Sequence, residues 1–534
     1  MSPLRRGKAT LGVGAGIVIA AALAGLWIKG RSQHGEMPNV LVVTCDTFRA
    51  DRLSLYGASR KTTPYLEELA KESVVFDAFF ANSSFTPPSH ASILTGTHVR
   101  THGLLWWDHK LSGSVKTLGE RLGTPLPTPE KPQPNEGVGY RTGAFVNLPN
   151  FETMGVSRGF QKLSVATWLP GREATRNFFA WLDDPKDMRR WCSWIHYWDP
   201  HRPFAYREWQ WLDPKKSPAE IAAMPPREKQ RTLDLLETSK RPPFSFHEET
   251  FGTHELGVGR MEQHYNRSGD LQRKSPLFIP TASASRPFTE ADDRYLADRY
   301  DGGALEMDEV LRELVEGLRT RGELDNTLLI ITSDHGETFT ERADEWWTHD
   351  PHLYDEVTRV PCLIRFPQKQ HGGARVTALS SSVDLLPTIY EVLGLKDSEL
   401  QGSSLVARIG AASNGPVAAV YSQTQNRKEF LEDPAREKGP DNPGTWRTVG
   451  TKISIRTATH RLIFDRDAKS FELYDLRTDP GATRNLHSAP PSQVEQELSS
   501  RLLEWFKGLP AGAGTEAALD DAALETLRKN GYLR

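Results

Sequence analysis

"NVLVVTCD", residues 39–46, is a near-continuous run of β-branched and apolar residues that ends in an aspartate. Such a run, without polar alternation, reads as a strand buried on both faces of a parallel sheet. A second run of the same kind, "DNTLLIITSDHGE" (325–337), again reaches an aspartate, Asp334, followed by His335. Further strands are read at "YRTGAFV" (140–146), "WCSWIHYW" (191–198) and "VPCLIRFP" (360–367). Between them lie helical patterns at 62–76, 293–322 and 383–395, the second ending at Gly322. Strand–helix alternation of this kind predicts a doubly wound α/β fold with a mainly parallel sheet. From about residue 415 the pattern becomes "AAVYSQT", "KISIRTATHRLIFD" and "FELYDL", followed by a helix at about 492–507. That predicts a small C-terminal antiparallel α+β subdomain.

In an open α/β sheet, ligands gather at the carboxyl ends of the strands. Asp46, Asp334 and His335 are expected at that edge, where they could hold a divalent cation. Each acid alone would more simply cap a following helix; two strand-end acids with a histidine favour the metal. "SSFTPPSHASILTG" (83–96) brings Thr86 to the start of a helix. Thr86 could be only the N-cap, with proline in the first turn. It could also be a fourth ligand and a nucleophile, because a cation lowers the pKa of a hydroxyl and a helix N-terminus attracts a phosphate or sulfate oxygen. "IHYWDPHRPF" contributes His196, Asp199 and His201, and "WWTHDPHLYDE" contributes His349 and His352. Histidines in Asp-Pro-His turns suit anion binding, general acid catalysis or a second metal; His201 and His349 are the better candidates and His352 the weakest. Thr86, His201 and His349 are therefore the expected catalytic residues, with His90, His196 and Asp199 as candidate substrate ligands.

The chain has 534 residues and a formal net charge of −3, with 66 basic against 69 acidic residues. No basic stripe points to nucleic acid. Three cysteines, Cys45, Cys192 and Cys362, have neither metal spacing nor an even count, so no disulfide framework is expected. The N-terminus is distinct: Arg5, Arg6 and Lys8 precede "LGVGAGIVIAAALAGLWI" (11–28), which carries no charge. Basic residues before an apolar segment of this length predict a signal or membrane anchor, with the remainder outside the cytoplasm. The expected division is 1–30 as that segment, 38–410 as the catalytic α/β domain with a variable insertion at 205–290, 415–510 as the C-terminal sheet and helix, and 511–534 as a tail. "TPLPTPEKPQPNEG" (124–137) reads as a proline-rich surface insertion.

Taken together, "NVLVVTCDTFRADRLSLYG", "TPPSHASILTGTHVRTHGL", "HYWDPHRPF", "DNTLLIITSDHGE", "HLYDEVTRVPCLIRFP", "VDLLPTIYEVLGL" and "ELYDLRTDPGATRNL" resemble the sulfatases of the alkaline phosphatase superfamily. The resemblance runs in family order from residue 39 to about 486. It implies that fold, a divalent metal, and hydrolysis of sulfate or phosphate esters. Typical sulfatases place a cysteine or serine at position 86 and convert it to formylglycine. Thr86 cannot give that aldehyde, because its β-carbon already carries a methyl group. The family's arginine is His90, the second of its paired aspartates is Thr47, and its lysine before the "LYDE" block is missing, with His349 and Asp350 nearby. "T-x-P-S-H" followed by "TG" is also similar to the nucleophile block of nucleotide pyrophosphatase/phosphodiesterases, which use threonine on a zinc pair. An Asp/Thr/Asp/His donor set suits zinc or manganese better than calcium, which wants six to eight oxygens, although calcium stays open. The substrate is expected to be a small-molecule, glycan or lipid ester. The alternatives are a membrane-anchored phospho-headgroup transferase and a catalytically inactive binding protein of the same fold.

Overall fold

The computed structural model describes residues 37–106, 109–123, 138–148, 150–166, 171–185, 190–201, 278–280, 285–287, 290–342, 349, 351–410, 419–431 and 445–512. The N-terminal apolar segment, the proline-rich stretch at 124–137 and nearly all of the 205–290 insertion and the tail therefore lie outside the described residues. Among the described residues, no helix is long and apolar enough to cross a membrane.

Eight strands form the main sheet: β1 (Asn39–Cys45), β2 (Val74–Phe76), β3 (Arg141–Val146), β4 (Lys162–Val165), β5 (Trp191–Tyr197), β6 (Thr327–Ser333), β7 (Cys362–Arg365) and β8 (Arg375–Val376). Their order is β8-β2-β7-β6-β1-β5-β3-β4. Only β7 runs against its neighbours, pairing antiparallel with both β6 and β2. The alternation of side chains explains why β1 carries no polar face. Val40 and Val42 join one core, with Trp194, Leu328 and Ile330; Leu41 and Val43 join the other, with Ile195, Leu329 and Ile331. A strand buried on both faces needs apolar residues at every position.

Helices cover both faces. On one side lie α1 (Thr86–Thr95) and α4 (Leu385–Val392), represented in the core by Ala91, Ile93, Leu94, Leu385, Leu386 and Ile389. On the other lie α2 (Gly171–Leu182) and α3 (Glu290–Thr320), through Phe178, Leu311, Leu314 and Leu318. The helix expected over 62–76 is shorter than its pattern. Residues Pro64–Leu69 are helical, Ala70–Glu72 form one tighter turn, and Val74–Phe76 become β2. The two valines, stiff at χ1, pair with β7 instead of continuing the helix.

The C-terminal unit is a four-stranded antiparallel sheet, β9 (Val420–Leu431), β10 (Thr445–Arg456), β11 (His460–Asp465) and β12 (Ser470–Asp475), covered by α5 (Gln493–Gly508). Ile453, Ile455, Leu462 and Phe464 pack on Leu498, Leu502, Leu503 and Phe506. The first two strands run for twelve residues each, longer than the short strands the sequence suggested. This sheet docks on the α/β unit through polar bonds beside α1: Ser84 Oγ donates to Thr424 Oγ1 at 2.7 Å, and Gln423 N to Asn82 O at 2.9 Å.

Candidate active site

Register brings the two strand-end aspartates together. Cys45 pairs with Ser333 across β1 and β6, so Asp46 and Asp334 leave the sheet side by side although 288 positions separate them. Cys45 also pairs with Tyr197 on β5, and Asp46 N donates to Tyr197 O at 2.9 Å. Asp46, Asp334 and His335 are fully buried, and each offers a ligand atom within 4.8 Å of the others. Among the described residues, neither oxygen of Asp46, nor Oδ2 of Asp334, has a hydrogen-bond partner. Burial, together with the charges of Asp334 and Glu337, pushes the Asp46 carboxyl well above the ordinary carboxylate range. Buried carboxylates left in this state call for a cation, since a buried charge is tolerated only when paired or metal-bound.

The orientation of His335 follows from its neighbour. Its Nδ1 lies 2.8 Å from the carbonyl oxygen of Gly336 and can only donate to it. That fixes the proton on Nδ1 in the neutral ring and leaves the Nε2 lone pair facing the site. Burial pulls the ring down to about 4, so it is neutral near pH 7. Nε2 stands 3.4 Å from Asp334 Oδ2 and 3.9 Å from Asp46 Oδ1. Gly336 is required where it is: a Cβ there would meet the Glu356 carbonyl oxygen at 2.1 Å.

Thr86 is the first residue of α1, and the N-cap is Phe85, at φ −138° and ψ 140°, with no side-chain cap. The capping role considered for Thr86 therefore belongs to the residue before it. Its hydroxyl instead points across the site, 3.1 Å from His335 Nε2. Thr47, in the place of the second family aspartate, sits at φ +52°, an uncommon conformation for a β-branched residue. It aims its amide at Asp334 Oδ1, 3.3 Å away, and its carbonyl at the Tyr300 hydroxyl, 2.5 Å away.

The other sequence candidates divide into two groups. His201 and His349 come together with Glu337: all three are buried and offer ligand atoms within 4.8 Å of one another. His349 lies against His335, with ring centroids 4.4 Å apart, and His201 stacks on Trp198 at 3.7 Å. Glu337, only two positions beyond His335, is not among the residues singled out in the sequence; its place in "DHGE" was the available signal. The side chain of Phe85 stacks on Trp106 at 4.4 Å and approaches His349 at 6.1 Å, forming an aromatic wall next to Thr86.

Three proposed substrate ligands are placed differently from that expectation. His90 is fully buried; its Nδ1 donates to Thr86 O at 2.9 Å and its Nε2 lies 3.0 Å from Thr44 Oγ1. His196 is fully buried in β5, with Nδ1 3.3 Å from Thr44 Oγ1 and Nε2 3.6 Å from Asp46 Oδ2. Both rings support the backbone and carboxylate that carry the site, which is a positioning arrangement. Asp199 accepts from Gly171 N with both oxygens at 2.9 Å, at the first residue of α2. Glu337 is the carboxylate that joins His201 and His349. His352 is in neither ligand group.

Comparison with known proteins agrees with this fold. The sulfatase family profile matches residues 38–122 and 170–395, and the profile described as N-sulphoglucosamine sulphohydrolase, C-terminal, matches residues 344–507. An N-acetylglucosamine-6-O-sulfatase of Bacteroides thetaiotaomicron is 22% identical over 528 residues, covering 89% of this chain and 87% of its own length. The human N-sulphoglucosamine sulphohydrolase is 24% identical over 493 residues, covering 84% and 86%. A solved structure holding its substrate D-glucosamine-2-N,6-O-disulfate aligns with a TM-score of 0.61 at 21% identity, over 88% of this chain and 98% of that one. The phosphonate monoester hydrolase of Agrobacterium radiobacter shares the fold with a TM-score of 0.56 at 21% identity, over 88% and 94%. With the strand ends, the helix that begins at Thr86 and the C-terminal sheet all inside the matched residues, the chain belongs to the sulfatase family and is an enzyme of that family.

Proposed function

We propose that this enzyme hydrolyses sulfate or phosphate esters with Thr86 as its nucleophile, without formylglycine. The observation that carries the reading is the 3.1 Å approach of Thr86 Oγ1 to the lone-pair nitrogen of His335, beside two buried carboxylates. Asp46, Asp334, His335 and the Thr86 hydroxyl suit one divalent cation, with zinc or manganese a better match to the imidazole than calcium. Bound there, such an ion would lower the pKa of the hydroxyl and share the charge that develops on the ester oxygens.

The chain's own residues do the rest. His335 is held in one tautomer by Gly336 O, and His90 ties the first turn of α1 to β1 through Thr86 O and Thr44 Oγ1. Thr86 Oγ1 gives up its proton and forms a bond to sulfur or phosphorus as the bond to the alcohol oxygen breaks in line. The departing oxygen takes up the proton that Thr86 lost, on the side lined by His201 and His349. Water then cleaves the threonine ester, releasing the anion and restoring the hydroxyl. Because threonine cannot use the aldehyde route, phosphate mono- and diesters stand beside sulfate esters as substrates, whether small-molecule, glycan or lipid.

The test is Thr86→Ala assayed on aryl sulfate, phosphate monoester, phosphodiester and phosphonate substrates with added calcium, manganese or zinc. Turnover should fall by roughly 10^4-fold or more, the scale of a lost nucleophile, while the melting temperature stays within the effect of one hydrogen bond, about 1 kcal/mol. Unchanged turnover would sink the mechanism. Product analysis separates hydrolysis, which gives free alcohol and anion, from transfer to a second acceptor. We also place the catalytic unit outside the cytoplasm, on the support of the basic-flanked apolar stretch at 11–28; a reporter fused at the C-terminus that is active only inside would contradict this.

A further inference from the structure

We infer that His196 is a positioning residue for Asp46: its ring is locked so that a bare Nε2, and not an N–H, faces the carboxylate and leaves both Asp46 oxygens to a cation. The inference rests on the reading of Asp46 as a cation ligand, and the placing of protons carries it. Thr44 breaks the apolar run of β1 and stands opposite His196 in the register of β1 and β5. Its buried hydroxyl has one proton to give and two lone pairs with which to accept. Four groups surround Oγ1: Trp194 Nε1 and His90 Nε2, each at 3.0 Å, His196 Nδ1 at 3.3 Å, and Ile195 O at 3.5 Å.

Each assignment forces the next. The indole Nε1 can only donate, so it fills one lone pair of Oγ1. His90 gives its Nδ1 proton to Thr86 O, and burial holds the ring below the ordinary imidazole range, so it is neutral and its Nε2 is bare. The hydroxyl proton therefore goes to His90 Nε2 at 3.0 Å, in preference to the Ile195 carbonyl at 3.5 Å. What remains on Oγ1 is a lone pair, so His196 must donate to it from Nδ1. Burial and the neighbouring imidazoles push His196 well below the ordinary range, so the ring has a single proton. Its Nε2 is then a lone pair 3.6 Å from Asp46 Oδ2, and among the described residues neither atom has a hydrogen-bond partner. His90 and Phe151 pack edge-on against the ring at 4.7 and 5.2 Å, which holds its plane. The opposite tautomer would offer Asp46 an N–H that competes with a cation for the same oxygen. The assigned one offers no proton, so the carboxylate keeps its lone pairs for the ion.

Two measurements on the full chain test this. Nitrogen NMR of isotope-labelled histidine in the chelator-stripped protein reads the tautomer, with the His196 signal identified by its loss in His196→Asn. The proton should be on Nδ1; a proton on Nε2 would overturn the inference. Zinc affinity is then measured by competition with a chromophoric chelator, the ion on Asp46 being the one lost in Asp46→Asn. An asparagine at 196 reaches only as far as Nδ1 and brings no donor to Asp46, so His196→Asn should bind zinc nearly as the unaltered chain does. A glutamine reaches the place of Nε2 and can turn its amide N–H to Asp46, so His196→Gln should bind roughly 10–100-fold more weakly, the scale on which outer groups act on a metal. Melting temperatures should run in the opposite order, because asparagine leaves the larger void. A purely structural role predicts the reverse for zinc; equal losses, or the greater loss in His196→Asn, would overturn the inference and leave the cation reading standing. Zinc that fails to bind, or that Asp46→Asn leaves unchanged, would overturn the cation reading of Asp46 and this role with it, whatever the tautomer. Should His196→Asn fail to fold by circular dichroism, His196→Phe, which also brings no donor to Asp46, gives the same reading.

Discussion

Thr86 Oγ1 and His335 Nε2 face each other at 3.1 Å, although one begins a helix and the other follows a strand 249 positions away. The contact joins a hydroxyl that does not cap its helix to an imidazole whose proton is held on its other nitrogen. Each is therefore free of the local role its residue type most often plays. The geometry depends on the turn after His335, which gives the first prediction.

Gly336→Ala should disable the site through the backbone. Its Cβ would meet Glu356 O at 2.1 Å, a main-chain atom that cannot swing aside. Moving the turn displaces His335 and Glu337 together. Stability should fall by about 1–3 kcal/mol, the usual cost of forced overpacking, with turnover lost by far more than that fall explains. Wild-type activity in a less stable variant would contradict the coupling.

Removing divalent ions should lower the melting temperature as well as activity, because an ion that binds only the folded chain adds stability in proportion to RT ln(1 + [L]/Kd). Asp46→Asn should reverse the order. Without metal it removes one of three mutually repelling buried carboxylates and should melt higher than the stripped parent; with metal it should melt lower. Equal melting temperatures for the two stripped proteins would show that the carboxylates are not in tension.

His90→Ala distinguishes a supporting ring from a substrate ligand. The ring is buried and engaged at both nitrogens, so its loss should cost about 2–4 kcal/mol of stability. Misplacing Thr86 should then lower kcat more than it raises KM. A large rise in KM with stability kept would restore the substrate contact expected from the sequence.

Asp355 ties the C-terminal sheet to the α/β unit through Arg461 and Arg456. Burial pushes its carboxyl up, but the Arg461 and Arg456 guanidinium groups outweigh that and hold it below the ordinary carboxylate range. A depressed carboxyl contributes stability above its unfolded pKa, near 4, and that contribution is lost as pH falls through the folded value. The melting temperature should therefore drop on acidification below about pH 4, and Asp355→Asn should flatten that part of the profile. At neutral pH the substitution should cost about 1–2 kcal/mol, less than a fully buried pair, because 26% of the Asp355 side chain is exposed. An unchanged acid slope would remove Asp355 as the cause.

Much of the site was readable in the linear chain because a parallel sheet converts local pattern into common position. Any buried strand that ends in an aspartate delivers that aspartate to the same edge, whatever the distance in sequence. Asp46, Asp334 and His335 could be placed together on that rule, and Thr86 through the helix that follows "SSF". That position 86 cannot give the aldehyde was also legible, since the methyl group on the β-carbon is a property of threonine. What the tertiary structure alone decided were the choices among equivalent polar residues. Asp199 and Glu337 are both acids near a strand end; only packing shows that the first meets the amide of Gly171 and the second meets His201 and His349. His90 and His201 are both histidines within two residues of a proline, yet one is buried within α1 against Thr44 and the other stacks on Trp198 in the site. Strand ends are set by short-range apolar periodicity, whereas the partner of a loop side chain is set by which distant segment packs over it.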